Sequence, residues 1–306
     1  MFAGEFTLKP VPPFSFELST QIFSNGDRQF RIYEDDKFKQ IIRIDNKLAL
    51  VILESAGTVD KPKLKAVLKS NSEISLSDKE LASQKVNQLF NLELDLLPFY
   101  ELAEKDETLK RITQKLRGLR SPTTQTVYEA LVDSIIEQQI SLKVATAIER
   151  RLIKKFGEGV TLDGELYYAY PTAQALAQAS TEELRASGLS GRKVEYIKEI
   201  SALVAKEKLD LEKFRSYENT KDILEELDDV RGIGAWTAEL TVIRSLQKWD
   251  AIPADDVGLR RIISQYYCED RRITSYEAKK IAEPWGKWRG LAAFYFVIAE
   301  LLKVEV

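Results

Sequence analysis

Between Phe6 and Ser70 apolar and polar side chains alternate in short runs, such as Gln29-Phe-Arg-Ile-Tyr33 and Phe38-Lys-Gln-Ile-Ile-Arg-Ile44. Turn-forming groups interrupt them at Ser24-Asn-Gly-Asp27, Glu34-Asp-Asp-Lys37 and Asp45-Asn46. Successive strand side chains point to opposite faces, so a period of two with polar punctuation predicts an antiparallel sheet. Ser77-Asp-Lys-Glu80 reads as a capping box opening a helix through Leu81, Val86, Leu89 and Phe90. These elements predict an N-terminal α+β domain over residues 1–94.

From residue 95 the apolar spacing becomes helical. Helices are expected over Pro98–Lys115, Val127–Phe156, Ala173–Ala186, Lys193–Lys206, Ile223–Leu227, Ala235–Ser245, Val257–Tyr267, Ser275–Ala282 and Arg289–Val304. Leu131, Ile135, Val144 and Ile148 fall roughly on one stripe, and the connections are short, as links between packed helices are. No further strand run is read. Residues 95–306 are therefore expected to form one helical body.

Composition narrows the chemistry. The chain has 306 residues, 44% of them hydrophobic, one cysteine and no histidine. Cys268 alone makes no internal disulfide, and no Cys/His cluster exists to hold zinc or an iron–sulfur centre. A Ser-His-Asp or Cys-His mechanism is excluded too, which leaves carboxylate, lysine or tyrosine for acid-base work. The longest apolar run, Leu291–Ala299, is far short of the roughly 20 residues that span a bilayer, and residues 1–30 lack a signal-peptide pattern, so a cytoplasmic protein is expected. A net charge of −3 argues against broad, non-specific nucleic-acid binding. Local clusters remain at Arg150, Arg151, Lys154 and Lys155, and at Arg192 and Lys193; they read either as phosphate contacts or as a solvated helix face.

The stretch Leu227-Asp-Asp-Val-Arg-Gly-Ile-Gly-Ala-Trp-Thr-Ala-Glu239 is the most informative. Two glycines around one apolar residue predict a tight hairpin, glycine being free to take left-handed dihedrals, and the helix after it would present unpaired N–H groups to a phosphate. Downstream, Ile252-Pro-Ala-Asp-Asp-Val-Gly-Leu-Arg260 sets Asp255 and Asp256 before an apolar helix carrying Leu259, Ile262, Ile263 and Tyr266. The residues alone allow either aspartate to be an N-cap or a reacting carboxylate, because helical phase does not separate them.

These motifs, with Leu131-Val-Asp-Ser-Ile-Ile-Glu-Gln-Gln-Ile-Ser141, Gly188-Leu-Ser-Gly-Arg-Lys193 and Trp285-Gly-Lys-Trp-Arg289 in the same order, resemble the helix-hairpin-helix (HhH-GPD) DNA glycosylases. The resemblance is nearest to the 3-methyladenine glycosylase II type, which excises alkylated purines, and covers about residues 95 to 306. It implies a fold of class α+β, with the sheet domain followed by a two-lobed helical body: a lobe of residues 126–248 carrying the hairpin 227–240, and a lobe of 95–125 plus 249–306. It implies a monomer acting on double-stranded DNA that contains damaged bases, flipping the target base out of the stack.

By the same resemblance, the catalytic carboxylate stands directly before the equivalent of Val257-Gly-Leu-Arg260 and is Asp256, leaving Asp255 as cap or loop residue. Breaking an N-glycosidic bond builds positive charge on the sugar, which a fixed carboxylate stabilises; an alkylated, cationic base leaves with little further help. Trp236 occupies the place of the lysine that forms a Schiff base in glycosylases with lyase activity, so monofunctional hydrolysis is implied, with Trp236 as a pocket wall. Leu240, Val257 and Val297 stand where aromatic walls are expected, and Phe294, Tyr295 or Phe23 are candidates to compensate. Gln139 matches the residue that fills the gap left by the flipped nucleotide. Gly232, Gly234 and Thr237 match the DNA-contacting hairpin, and the backbone carbonyls of Asp228, Val230 and Ile233 would hold a structural Na⁺ or K⁺; no cofactor is required. Two other readings stand beside this one. Ser24-Asn-Gly-Asp27 before Arg28-Gln-Phe30 is faintly similar to the oxidised-purine (8-oxoguanine) branch, and a non-catalytic reader of damaged DNA could use the hairpin alone, although such a binder gains nothing from Asp256.

Overall fold

The computed structural model describes residues 1–24 and 26–305; Asn25, in the turn expected at Ser24–Asp27, lies outside the described residues. The fold is α+β. Strands β1 (Phe2–Leu8), β2 (Arg31–Glu34), β3 (Lys37–Ile44), β4 (Lys47–Ser55) and β5 (Leu64–Ser70) form an antiparallel sheet of order β1-β5-β4-β3-β2. Asp35 and Asp36, both at positive φ, make the tight β2–β3 turn that the polar punctuation foretold. A helix not foreseen in the sequence, α1 (Phe16–Ser24), precedes β2.

Alternation gives the sheet two apolar faces. One, with Phe38, Ile42, Val51 and Leu53, packs on Val86, Leu89 and Phe90 of α2 (Leu76–Phe90). That helix is capped by Ser75 with Asp78, two residues before the expected box, because the Asp78 carboxylate returns to the Ser75 N–H at 2.8 Å. The other face, with Ile32, Ile41 and Leu50, packs on Leu162 and Tyr167. These belong to a hairpin of β6 (Gly159–Leu162) and β7 (Glu165–Tyr168), which corrects the expectation of helix alone after residue 94. Its Asp163-Gly164 turn has φ of 52° and 82°, the conformation that suits a two-residue hairpin.

The helical body comprises α3 (Leu97–Ala103), α4 (Glu107–Lys115), α5 (Val127–Glu137), α6 (Leu142–Phe156), α7 (Ala173–Gln178), α8 (Thr181–Ala186), α9 (Gly191–Ala205), α10 (Thr220–Asp228), α11 (Ala235–Leu246), α12 (Val257–Tyr267), α13 (Ser275–Ala282) and α14 (Arg289–Leu301). Three expected long helices are each broken where a side chain captures backbone N–H groups: Asp106 caps α4, Ser141 caps α6 and Ser180 caps α8. Among the described residues no helix is long and apolar enough to cross a membrane.

Arg31 fastens sheet to helices. From β2 its guanidinium donates to Glu129 on α5 at 2.6 Å and to Glu149 on α6 at 3.1 Å, with Asp133 3.9 Å away. Burial raises the pKa of all three acids, and Arg31 opposes that rise. Asp133 is also hydrogen-bonded by the Tyr170 hydroxyl at 2.7 Å.

Candidate active site

Asp256 ends the Pro253–Asp256 turn as the N-cap of α12, its Oδ1 accepting the Leu259 N–H at 2.7 Å. Its Oδ2 accepts the indole N–H of Trp236 at 3.2 Å. The carboxylate is thus held at both oxygens by rigid groups. Each oxygen keeps a further lone pair, and the residue lines a cleft of about 1180 Å³. Asp255 does not cap: its side chain is half exposed, with an oxygen 4.0 Å from Arg260. Of the two roles expected for Asp255, it takes the loop and not the cap: both aspartates line the cleft, and the cap falls to Asp256.

Helical spacing explains the remaining walls. On α11, Trp236, Leu240 and Arg244 recur every four residues and all reach the cleft. From α14 come Ala293, Phe294 and Val297, and Val257 stands exposed at the rim. Phe23 lines the cleft from the N-terminal region. Tyr295 does not: it is fully buried and donates to the Leu119 carbonyl at 2.7 Å, so of the three compensating aromatics only Phe23 and Phe294 are placed here.

Sequence reasoning missed the charged part of this cleft. Arg244 makes a two-pronged pair with Glu137, at 2.7 and 2.9 Å, and Arg31, Asp133, Glu149 and Asp27 also line the wall. Extending the Trp236–Leu240 stripe by one turn would have found Arg244. No local pattern pairs β2 with α5 and α6. Among the described residues that line the cleft there is no lysine, and no group of three or more His, Cys, Asp or Glu is placed to hold a metal.

In the hairpin the two glycines differ. Gly232 has φ +91°, and a Cβ there would sit 2.4 Å from the Tyr196 ring. Gly234 is extended, with φ −109°, is exposed, and has open space around it; it begins α11 without a side-chain cap, leaving first-turn N–H groups unpaired within the helix. Left-handed freedom is needed at Gly232 alone. Thr237 is buried and its hydroxyl accepts from Gln138 at 2.9 Å, so its side chain is turned away from the surface and only its backbone is left for a phosphate. Asp228 is the last residue of α10, and the Val230 carbonyl already accepts the Ile233 N–H at 3.0 Å.

Gly232→Ala is expected to lower stability by at least about 1–2 kcal/mol, the cost of a left-handed alanine, before Tyr196 is displaced. Gly234→Ala should keep its melting temperature yet bind damaged and undamaged duplex more weakly, its methyl group standing where a phosphate would approach. Thermal melts and duplex titrations of the two variants check both; a Gly234→Ala protein that binds plain duplex normally would remove the hairpin from the phosphate.

The basic residues serve separate ends. Lys193 is buried and donates to the carbonyls of Ile136 and Gln138 at 2.8 and 2.7 Å, so it is no DNA contact. Arg151 holds the Ser187 carbonyl, Arg150 pairs with Asp27 at the cleft, and Arg192 and Lys154 are exposed. Gln139 is exposed at the turn after α5 and has φ +56°.

Residues 132–287 match the family described as HhH-GPD superfamily base excision DNA repair protein, and residues 17–131 match the 8-oxoguanine DNA glycosylase N-terminal domain. The DNA-3-methyladenine glycosylase of Bacillus subtilis is 34% identical over 210 residues, which are 69% of this chain and 69% of that protein. A probable N-glycosylase/DNA lyase of Methanothermobacter thermautotrophicus is 25% identical over 90% of each chain. The solved 3-methyladenine DNA-glycosylase from Archaeoglobus fulgidus superposes with a TM-score of 0.83 at 25% identity, covering 98% of this chain and all of that one.

Proposed function

The chain belongs to the HhH-GPD superfamily of base excision DNA repair proteins, and from that premise we propose that it is a monofunctional glycosylase hydrolysing the bond between deoxyribose and an alkylated purine. The observation that carries this reading is the Trp236–Asp256 pair: a carboxylate locked between a helix terminus and an indole, at the edge of a cleft wide enough for a base. A flipped purine stacked on Trp236 brings its C1′ toward Asp256, whose fixed charge stabilises the cationic sugar of the transition state and orients the attacking water. An alkylated ring nitrogen makes the base a cation that departs without a general acid, in keeping with a chain that has no histidine.

Hydrolysis rather than lyase chemistry follows from position 236. A Schiff base needs a neutral amine beside C1′, and here an indole holds that place in a cleft whose described lining has no lysine. The protein acts as a monomer on duplex DNA, presenting the N-terminus of α11 to a phosphate and Gln139 to the emptied stack. The neutral carbonyls of Asp228, Val230 and Ile233 are a donor set suited to a hard monovalent cation, Na⁺ or K⁺, which would stiffen the hairpin without adding net charge to it.

A second reading, removal of an oxidised purine, is favoured by the match of residues 17–131 to the 8-oxoguanine glycosylase N-terminal domain. The missing amine weighs against it. Incubation with lesion-bearing duplex should leave an intact abasic strand that breaks only under alkali, and borohydride should trap no protein–DNA adduct. A trapped adduct would overturn the monofunctional reading.

A further inference from the structure

We propose that Gln138 is a positioning residue that couples the phosphate-binding hairpin to the intruding Gln139, an inference that rests on the DNA-repair reading above. Helix α5 stops at Glu137, and Gln138 turns the chain out of it with φ −49° and ψ 124°. The next residue, Gln139, is left-handed without being glycine. Such a backbone costs energy and persists only where its surroundings hold it. The surroundings here hold the residue before it.

Both amide hydrogens of Gln138 are spent on the hairpin. Its Nε2 donates to the Gly232 carbonyl at 3.0 Å and to Thr237 Oγ1 at 2.9 Å. Gly232 is the left-handed residue of the turn, with the Tyr196 ring filling the place a side chain would take, and Thr237 lies in the first turn of α11. The Gln138 main chain is clamped from the other side, where the buried Lys193 ammonium donates to its carbonyl at 2.7 Å and to that of Ile136 at 2.8 Å. Cationic charge on the last carbonyls of α5 is the favourable end of the helix dipole.

The hairpin and the Gln139 turn are therefore tied through one side chain. A phosphate drawn onto the N-terminus of α11 fixes the hairpin, the hairpin fixes the Gln138 amide, and the amide fixes the direction in which Gln139 projects. Without that tie Gln139 can still reach the duplex, but it is no longer held on the line of the vacated stack. The loss should then be greatest where the stack resists opening.

The experiment uses the full chain with Gln138→Ala and the near-isosteric Gln138→Glu, whose carboxylate cannot donate to the Gly232 carbonyl. Two readouts are taken. The first is fluorescence of 2-aminopurine placed beside an abasic-site analogue in duplex DNA, which reports intrusion whatever base the protein excises. The second is single-turnover base release from one alkylated purine set either in a matched pair or opposite a gap. Both variants should lose the fluorescence change that the unmodified protein gives, and should release base from the matched site roughly tenfold to a hundredfold more slowly, the scale expected of an ångström-level misplacement. At the gapped site they should recover most of that loss, with duplex affinity within about threefold of the parent, since phosphate contacts dominate affinity. An unchanged fluorescence response, or an equal loss on both substrates, would overturn the coupling. Intrusion by a parent protein that releases no alkylated base would instead count against the proposed function and leave the coupling to be judged on fluorescence.

Discussion

Asp256→Asn is expected to slow base release by roughly 10³-fold, the scale found when one preorganised electrostatic group is removed from a transition state. The substitution separates the two duties of this residue. Asparagine caps helices about as well as aspartate, so its oxygen can keep the Leu259 N–H and the start of α12. What disappears is the charge facing the sugar. Binding of lesion duplex should stay equal or tighten, because the same charge repels phosphates in the ground state. Asp255→Asn, altering a half-exposed carboxylate that caps nothing, should retain nearly full activity. If Asp255→Asn proved inactive and Asp256→Asn active, the chemistry would have to move one residue along the chain.

Arg31→Met should cost about 3–5 kcal/mol of stability near neutral pH, as removal of one partner from a buried charge network does. The buried Glu129 and Asp133 and the half-buried Glu149 at the cleft wall would be left facing one another without the cation they share. The defect should depend on pH with a definite sign. Burial already raises the pKa of these three acids in the folded protein, and Arg31 is the largest influence that lowers them, beside the Gln125 N–H on Glu129, Tyr170 on Asp133 and Arg244 near Glu149. A group raised on folding contributes stability that is complete below its unfolded pKa and is lost as pH rises through its folded pKa. Without Arg31 all three rise further, so the variant's deficit should be widest near about pH 8 and narrow toward about pH 5 as the acids take up protons. Urea unfolding of both proteins at the two pH values measures this. A deficit independent of pH would mean that Arg31 acts through the stacking of its guanidinium on Phe23 and Phe30, both of whose rings lie 4.6 Å from its Cζ.

Where function depends on local order, the sequence was a good guide. Glycine spacing located the hairpin, and the apolar period located α12 and α13 with both ends as observed. The class of fold followed from two periods, two and then 3.6. What stayed hidden was either very short or very distant. The β6–β7 hairpin has four residues per strand, too few for alternation to stand out from its helical surroundings. Caps at Asp106, Ser141 and Ser180 divide what periodicity alone reads as continuous helices. Phase did not separate Asp256 from Asp255; the family resemblance pointed to Asp256, and its hydrogen bond from an indole twenty positions away left no trace in spacing. The Arg31 network and the Gln138 tie join residues on separate elements, and spacing carries no trace of either. Tyr295 and Thr237 show the opposite failure: their neighbours in sequence reach the site while helical rotation turns these two inward.

Release of free base bears most directly on the central claim, that a fixed Asp256 carboxylate and an amine-free cleft expel an alkylated purine by hydrolysis. The unmodified protein and Asp256→Asn would each be mixed in excess with methylated duplex DNA and with duplex carrying a single 8-oxoguanine, and the liberated bases and strand breaks resolved together. The account predicts free alkylpurine and an unbroken abasic strand from the unmodified protein, and neither product at a comparable rate from Asp256→Asn. Release of 8-oxoguanine with strand scission, while the methylated duplex stays whole, would contradict it.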